Sequence, residues 1–513
     1  MSAGPALSIE RRLAAGAVER TPSPTPYRAV AAQPGEPQLL RPDLVGSAQA
    51  AGFRARGKPL ACFAQVTDLH LADVQSPARF EFLNREFKDP RFRRLVPMQR
   101  PQEALNAHSI AALVATLNRL ETGPAGGPLE LVAMTGDAID NAQWNELTTF
   151  LALFNGGTVS ADSGRPGYEG VQAPGWPDDI FWKPDGQASD KFRTELGYPH
   201  LPGLLERALR PFSTPGLQLP WLGCHGNHEL LSQGVGKITP DLVAALTGGV
   251  KPVQLPDGFD LDRVHETYVS RPEAFMEGPV LPVTPDPARR AFSRAEFIRA
   301  NQGHGFGGQE LYYVHDTPAV RYVVLATSCS AGGADGVIDP AQYGWLESRL
   351  GEVPDRLIVI LSHHGLDSLT NTREPGVEPA AVLGLLLRHP NVMLWLNGHV
   401  HANRVTPRAA PGGEGGGFWE VTTASLVDWP CQGRLVEIVD GGPGLLGIAC
   451  TMLDHDGLLE RGSAESSLEL AGLHRELAAN LAWSGFTRDR SGSPQDRNVI
   501  LPLRKPFPTG GPG

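Results

Sequence analysis

Five places in the chain join an apolar run directly to a cluster of Asp, Asn or His. The run 62–67 leads into Asp68-Leu69-His70, and 129–135 into Gly136-Asp137-Ala138-Ile139-Asp140. The run 219–224 leads through His225 into Gly226-Asn227-His228-Glu229, 357–362 into His363-His364-Gly365, and 392–397 into Gly398-His399-Val400-His401. Carboxylate, amide oxygen and imidazole together are donors for Zn, Mn, Fe or Ni rather than Mg or Ca, and imidazole also serves as an acid or base near neutral pH. Each cluster alone has a plain alternative. An Asp or Asn after a strand caps a turn or helix, and a lone His is a core or surface residue. Parallel strands, however, bring their carboxyl ends to one edge, where ligand sites of open α/β folds form, so five such clusters would converge.

The elements that must position them follow from the periodicity. Short apolar runs predict strands over 61–67, 129–135, 219–224, 320–327, 356–362, 391–397, 418–424, 433–439 and 446–452. Helical spacing predicts helices over 103–120, 142–154, 340–351, 378–389 and 465–481. This alternation is that of an α/β protein. The last three strands have only short, Gly-rich connections, which predicts antiparallel pairing among them.

Composition sets the surroundings. With 41% hydrophobic and 20% charged residues the 513-residue chain is neither disordered nor fibrous. Its 59 Gly and 46 Pro signal long loops, and segments 72–102, 155–218 and 230–310 carry little periodicity. These read as insertions in one catalytic domain, 60–455, preceded by an N-terminal arm, 1–59, and followed by a helix and tail, 456–513. The insertions are expected to fold over the site as a cap. Net charge of -11 argues against duplex nucleic acid as a partner. The stretch from Arg79 to Glu103 nevertheless holds seven basic residues against four acidic ones; an ordinary solvated face is the favoured reading, and an overhang that meets an anionic substrate is the alternative. Five scattered cysteines without a C-x-x-C pair make no disulfide framework or thiolate metal site. Neither a signal-peptide pattern nor a transmembrane-length apolar run is seen, so the expected location is cytoplasmic.

The ordered motifs D-x-H, G-D-x-x-D, G-N-H-E, a strand-terminal His and G-H-x-H resemble those of the calcineurin-like metallophosphoesterases. The segment Gly336 to Glu347 is similar to that family's G-x-[IL]-x-x-x-Q-x-x-W-L-E helix start. The resemblance implies an α/β fold of two mixed β-sheets packed as a sandwich, flanked by helices and carrying long inserted loops. It implies two transition-metal ions, one held by Asp68, His70, Asp137 and His401, the other by Asp137, Asn227, His363 and His399, with Asp137 bridging. His364 is the alternative to His363. Asp140 and Asn141 either support the ligands or cap the following helix.

The activity so implied is hydrolysis of a phosphodiester or phosphomonoester by a metal-bridging hydroxide, with His228 assisting the leaving group and Glu229 orienting His228. The expected substrate is a small-molecule or lipid-headgroup phosphoester. Two other readings stay open: a nuclease acting on single-stranded nucleic acid held in the basic stretch, and a non-catalytic metal-binding scaffold.

Overall fold

The five side chains of Leu357–Leu361 are all apolar and buried, and they alternate between two cores. Leu357, Val359 and Leu361 face one apolar cluster, Ile358 and Ile360 another. A strand buried on both faces belongs in the interior of a covered sheet. Val320–Val324 and Val392–Asn397 flank it in parallel. Helices Pro340–Gly351 and Pro379–Leu387 cover its outer face with Leu346, Leu350, Val382, Leu385 and Leu386.

The computed structural model describes residues 6–20, 23–54, 57–187, 189–303, 305, 310–411 and 416–507. Two mixed sheets enclose the largest apolar cluster. The six-stranded sheet runs Tyr313–Asp316, Val320–Val324, Leu357–Leu361, Val392–Asn397, Gly417–Thr422, Arg404–Ala409. The seven-stranded sheet runs Leu39–Leu40, Val499–Arg504, Leu445–Asp454, Gln432–Asp440, Pro59–Val66, Leu131–Met134, Trp221–Gly223, its last three strands parallel. Phe63 and Tyr322 meet edge-to-face across the interior, 5.3 Å between centroids. Helices Asn106–Arg119 and Ser467–Trp483 pack against each other and add Ile110, Leu113 and Ala478 to this core.

The three late strands do not form one antiparallel unit. Gly417–Thr422 lies in the six-stranded sheet, parallel to Val392–Asn397 and antiparallel to Arg404–Ala409. Only Gln432–Asp440 and Leu445–Asp454 pair antiparallel, in the other sheet. The link from Gly417–Thr422 to Gln432–Asp440, residues 423–431, crosses from one sheet to the other and is buried throughout. Residues 11–34 hold an antiparallel hairpin, Arg11–Arg20 with Tyr27–Pro34, and Tyr27 is buried against Tyr198 and Glu476.

The inserted segments build a small core of their own. Phe80, Phe82, Leu83 and Phe92 from the first pack with Leu242, Tyr268, Val269 and Phe275 from the third. Buried pairs fasten them: Lys251 to Glu81 at 2.8 Å and Arg289 to Asp73 at 3.0 Å. The second segment places Trp182, Phe192, Tyr198 and Leu204 against Leu473 and Leu477 of the long C-terminal helix. Among the described residues no helix is long and apolar enough to cross a membrane.

Candidate metal centre

The strand-end loops are laced to one another by main-chain bonds. Asp68 N–H donates to the Gly136 carbonyl and His70 N–H to that of Asp137, both at 3.0 Å, extending the strand pairing into the loops. His399 N–H reaches the Asp68 carboxylate at 3.1 Å, joining a loop of the six-stranded sheet to one of the seven-stranded sheet. That approach requires Gly398, because a Cβ there would collide with Thr67 Oγ1 and Asp68 Oδ2. Nine non-glycine residues have positive φ among the described residues, and five are Asp68, His70, Asp137, His399 and His401. Left-handed backbone at bulky residues concentrates where surrounding structure holds a functional geometry in place.

The donor atoms converge. His70 Nε2 and His401 Nε2 face each other at 2.9 Å, and His401 Nε2 is 3.3 Å from Asp68 Oδ1. His70 Nε2 lies 3.8 Å from Asp137 Oδ2, while His363 Nε2 lies 3.0 Å from the same oxygen. Two overlapping groups, Asp68-His70-His401 and Asp68-Asp137-His363, each keep their donor atoms within 4.8 Å, a span that one cation could bridge. His399 joins His363 and His364 in a third such group.

Two buried atoms test the fit to a cation. Asn227 donates from Nδ2 to the Gly234 carbonyl at 2.9 Å, and its Oδ1 has no hydrogen-bond partner. His363 engages the Thr135 carbonyl through Nδ1 at 2.9 Å, and its Nε2 makes no hydrogen bond, facing Asp137 Oδ2 across 3.0 Å. Buried polar atoms without partners are costly, and both are good ligands for a divalent ion. His364 is different: Thr327 Oγ1 occupies Nδ1 and the Ala334 carbonyl occupies Nε2, each at 2.9 Å. This arrangement favours His363 over His364 as a donor.

Electrostatics follow from burying many charges together. Burial opposes the charged form of Asp68, but His401 and His70 outweigh it and hold the carboxyl well below its usual range. Asp137 is depressed in the same way by His363 and His228. For His70, burial is overcome by Asp140 and Asp68, which raise it to about 10. Burial together with neighbouring His363 pushes His399 down to about 3.

His228 is less buried than His70, its side chain 16% exposed against 3%. Its Nδ1 donates to the Asp140 carbonyl at 2.6 Å, and Asp140 Oδ1 stands 3.5 Å away. Glu229 does not orient His228. Its carboxylate accepts the N–H groups of Ala138, Gly226 and Asp137 at 2.6, 2.7 and 3.1 Å, fastening the two neighbouring loops. Backbone donors thus take the carboxylate that sequence adjacency assigns to the imidazole, and Asp140 stands in that place.

Further side chains reach this pocket without a sequence signal. Asp428, on the crossing link, accepts from His401 Nδ1 at 2.7 Å. Carboxylates placed so fix the ring and tautomer of a ligating histidine. Five of the seven basic residues in the stretch 79–103 are paired with carboxylates. Arg79 is 3.0 Å from Asp140 and Arg100 2.7 Å from Asp428, while Arg85, Arg91 and Arg94 pair with Asp178, Asp89 and Asp335. All five cysteines are buried and free, none in a donor group.

No family model and no curated protein matches the chain. Among solved structures, the crystal structure of a dimetal phosphatase from Danio rerio is similar over 77% of this chain and 97% of that one, at 12% identity and a TM-score of 0.37.

Proposed function

We propose that the chain is a calcineurin-like metallophosphoesterase, a dinuclear-metal hydrolase of a phosphodiester or phosphomonoester. The observation that carries this reading is a pair of buried atoms without a hydrogen bond, Asn227 Oδ1 and His363 Nε2, beside the Asp68 and Asp137 carboxylates of the seven-stranded sheet and imidazoles from the six-stranded sheet. Asp68, His70, Asp137 and His401 would hold one ion, and Asp137, Asn227, His363 and His399 the other. Two such ions, when held, polarise a phosphoryl oxygen and make water a competent nucleophile at neutral pH.

The chain's own residues do the rest. Asp137 reaches toward both donor sets; Glu229 holds its backbone, and the His228 N–H holds its carboxylate through Oδ1 at 3.0 Å. His228, its Nδ1–H held by the Asp140 carbonyl, turns Nε2 toward the site; giving a proton to the departing oxygen would require the doubly protonated ring, which burial disfavours by pushing His228 down to about 4. The single-stranded nuclease reading loses support because Arg79, Arg85 and Arg100 are taken up by internal carboxylates.

The test is metal analysis of the purified full-length chain, followed by assays with Mn or Zn on bis-p-nitrophenyl and p-nitrophenyl phosphate. Two bound equivalents and turnover of one ester are expected. Retained metal with hydrolysis of neither ester would overturn the enzyme reading and leave a scaffold.

A further inference from the structure

The two donor sets are supported by different chemistry. Asn227 and His363 lean on main-chain carbonyls, those of Gly234 and Thr135. His70 and His401 lean instead on carboxylates: His70 Nδ1 lies 3.3 Å from Asp140 Oδ1, and His401 Nδ1 lies 2.7 Å from Asp428 Oδ2. Those two carboxylates come from distant parts of the chain, yet one run of alternating charge joins them. Asp428 Oδ1 accepts from Arg100 Nε at 2.7 Å, and Arg100 Nη1 donates to Glu103 Oε1 at 3.3 Å. Glu103 Oε2 accepts from Arg79 Nη2 at 2.8 Å, and the same Arg79 nitrogen lies 3.0 Å from Asp140 Oδ2. Glu103 stands at the middle of the run, its side chain 1% exposed, on the short turn Glu103–Leu105 ahead of helix Asn106–Arg119.

We propose that Glu103 is a positioning residue that couples the supports of His70 and His401 and thereby sets the affinity of one metal position without setting the other. The inference rests on the dinuclear reading. Carboxylates behind ligating histidines orient the ring and raise its basicity, and their loss lowers metal affinity about 10- to 100-fold. Glu103 holds both such carboxylates in place by spacing the two arginines. Without its charge, Arg79 and Arg100 confront each other across a buried gap and withdraw from Asp140 and Asp428.

The experiment is stepwise titration of the metal-stripped full-length chain with Mn2+ by calorimetry, comparing the unaltered protein with Glu103→Gln. One of two equivalents should weaken by on the order of tenfold, the other staying unchanged. Asp428→Asn should weaken the same equivalent, and the combined variant should fall short of the sum because both interrupt one chain of contacts. Asn227→Ala should remove the opposite equivalent. Should Glu103→Gln fail to fold, Arg100→Gln breaks the run at a partly exposed residue and carries the same expectation. Equal weakening of both equivalents, weakening of neither, or strict additivity with Asp428→Asn would overturn the proposal while leaving the dinuclear reading intact. Fewer than two equivalents on the unaltered protein would overturn that reading, and the inference with it.

Discussion

At the metal edge Asp68, His70, Asp137, His399 and His401 hold left-handed backbone, and buried donor atoms stand without partners. In the inserted segments Lys251, Glu81, Arg289 and Asp73 are as deeply buried, yet none has positive φ, and each charge meets an opposite one within 3.0 Å. The difference separates two uses of buried polarity. Closed pairs lock segments together, and apolar residues of similar volume can replace them. Single open atoms occur in the inserts as well, Glu81 Oε2 among them; what distinguishes the edge is open donors on Asn227 and His363 beside Asp and His residues on left-handed backbone whose donor atoms converge.

Substitutions can break this contrast. The largest expected effect is from Asp137→Ala, which removes the carboxylate common to both donor sets. Phosphoester hydrolysis should fall to the uncatalysed background and fewer than two Mn equivalents should remain, with unchanged circular dichroism. Next is His228→Ala, expected to lower turnover by about 10²- to 10⁴-fold while metal content stays normal. Loss of metal from this variant would move His228 into the ligand set.

On the other side of the comparison, Lys251→Met should leave turnover per folded molecule intact but destabilise the fold by about 3–5 kcal/mol, measured by urea denaturation. Adding Glu81→Leu should restore most of that loss. A fall in turnover with stability unchanged would show that the insert acts on the chemistry.

The smallest effect concerns pH. His108 joins helix Asn106–Arg119 to the second inserted segment, through the Ala208 carbonyl at 3.0 Å, and to Ser467 at 2.9 Å. Burial pushes it from the usual 6.5 down to about 4. The folded state therefore favours the neutral ring: its contribution is complete above pH 6.5 and is lost as pH falls toward 4. The loss is on the order of 3 kcal/mol when complete. Denaturation at pH 7.5 and 4.5 should show a smaller drop for His108→Gln than for the unaltered chain. Equal drops would rule out this titration as a source of acid sensitivity.

The legible parts were those where one local rule sufficed. Strand runs such as 357–362 announce themselves by continuous apolarity, and the polar break after each marks the donors. His363 and His364 are indistinguishable by type, and only the Thr327 and Ala334 contacts separate them. Chain adjacency points Glu229 at His228 and carries no trace of the backbone N–H groups of Asp137, Ala138, Ile139 and Gly226 that fold onto its carboxylate. Asp428 carried no signal, since its partner His401 lies across a sheet-to-sheet crossing. Arg79, Glu103 and Arg100 looked like a charged run, because pairing partners as distant as Asp428 leave no local pattern. The edge strands Tyr313–Asp316 and Arg404–Ala409 went unread for a simpler reason: half-exposed positions blur the alternation. The core of the inserts rests on aromatic residues in very short helices, which have no period to detect.

The contact between His399 N–H and Asp68 has a mechanical side. Each donor set draws on both sheets, so the distance between donors is also a gauge of how one sheet sits on the other. Any slip of the interior, for instance at Phe63 and Tyr322, would be transmitted as a change in bite at the pocket. The hydrophobic filling between the sheets thus works as the frame of a caliper whose jaws are the ligand loops.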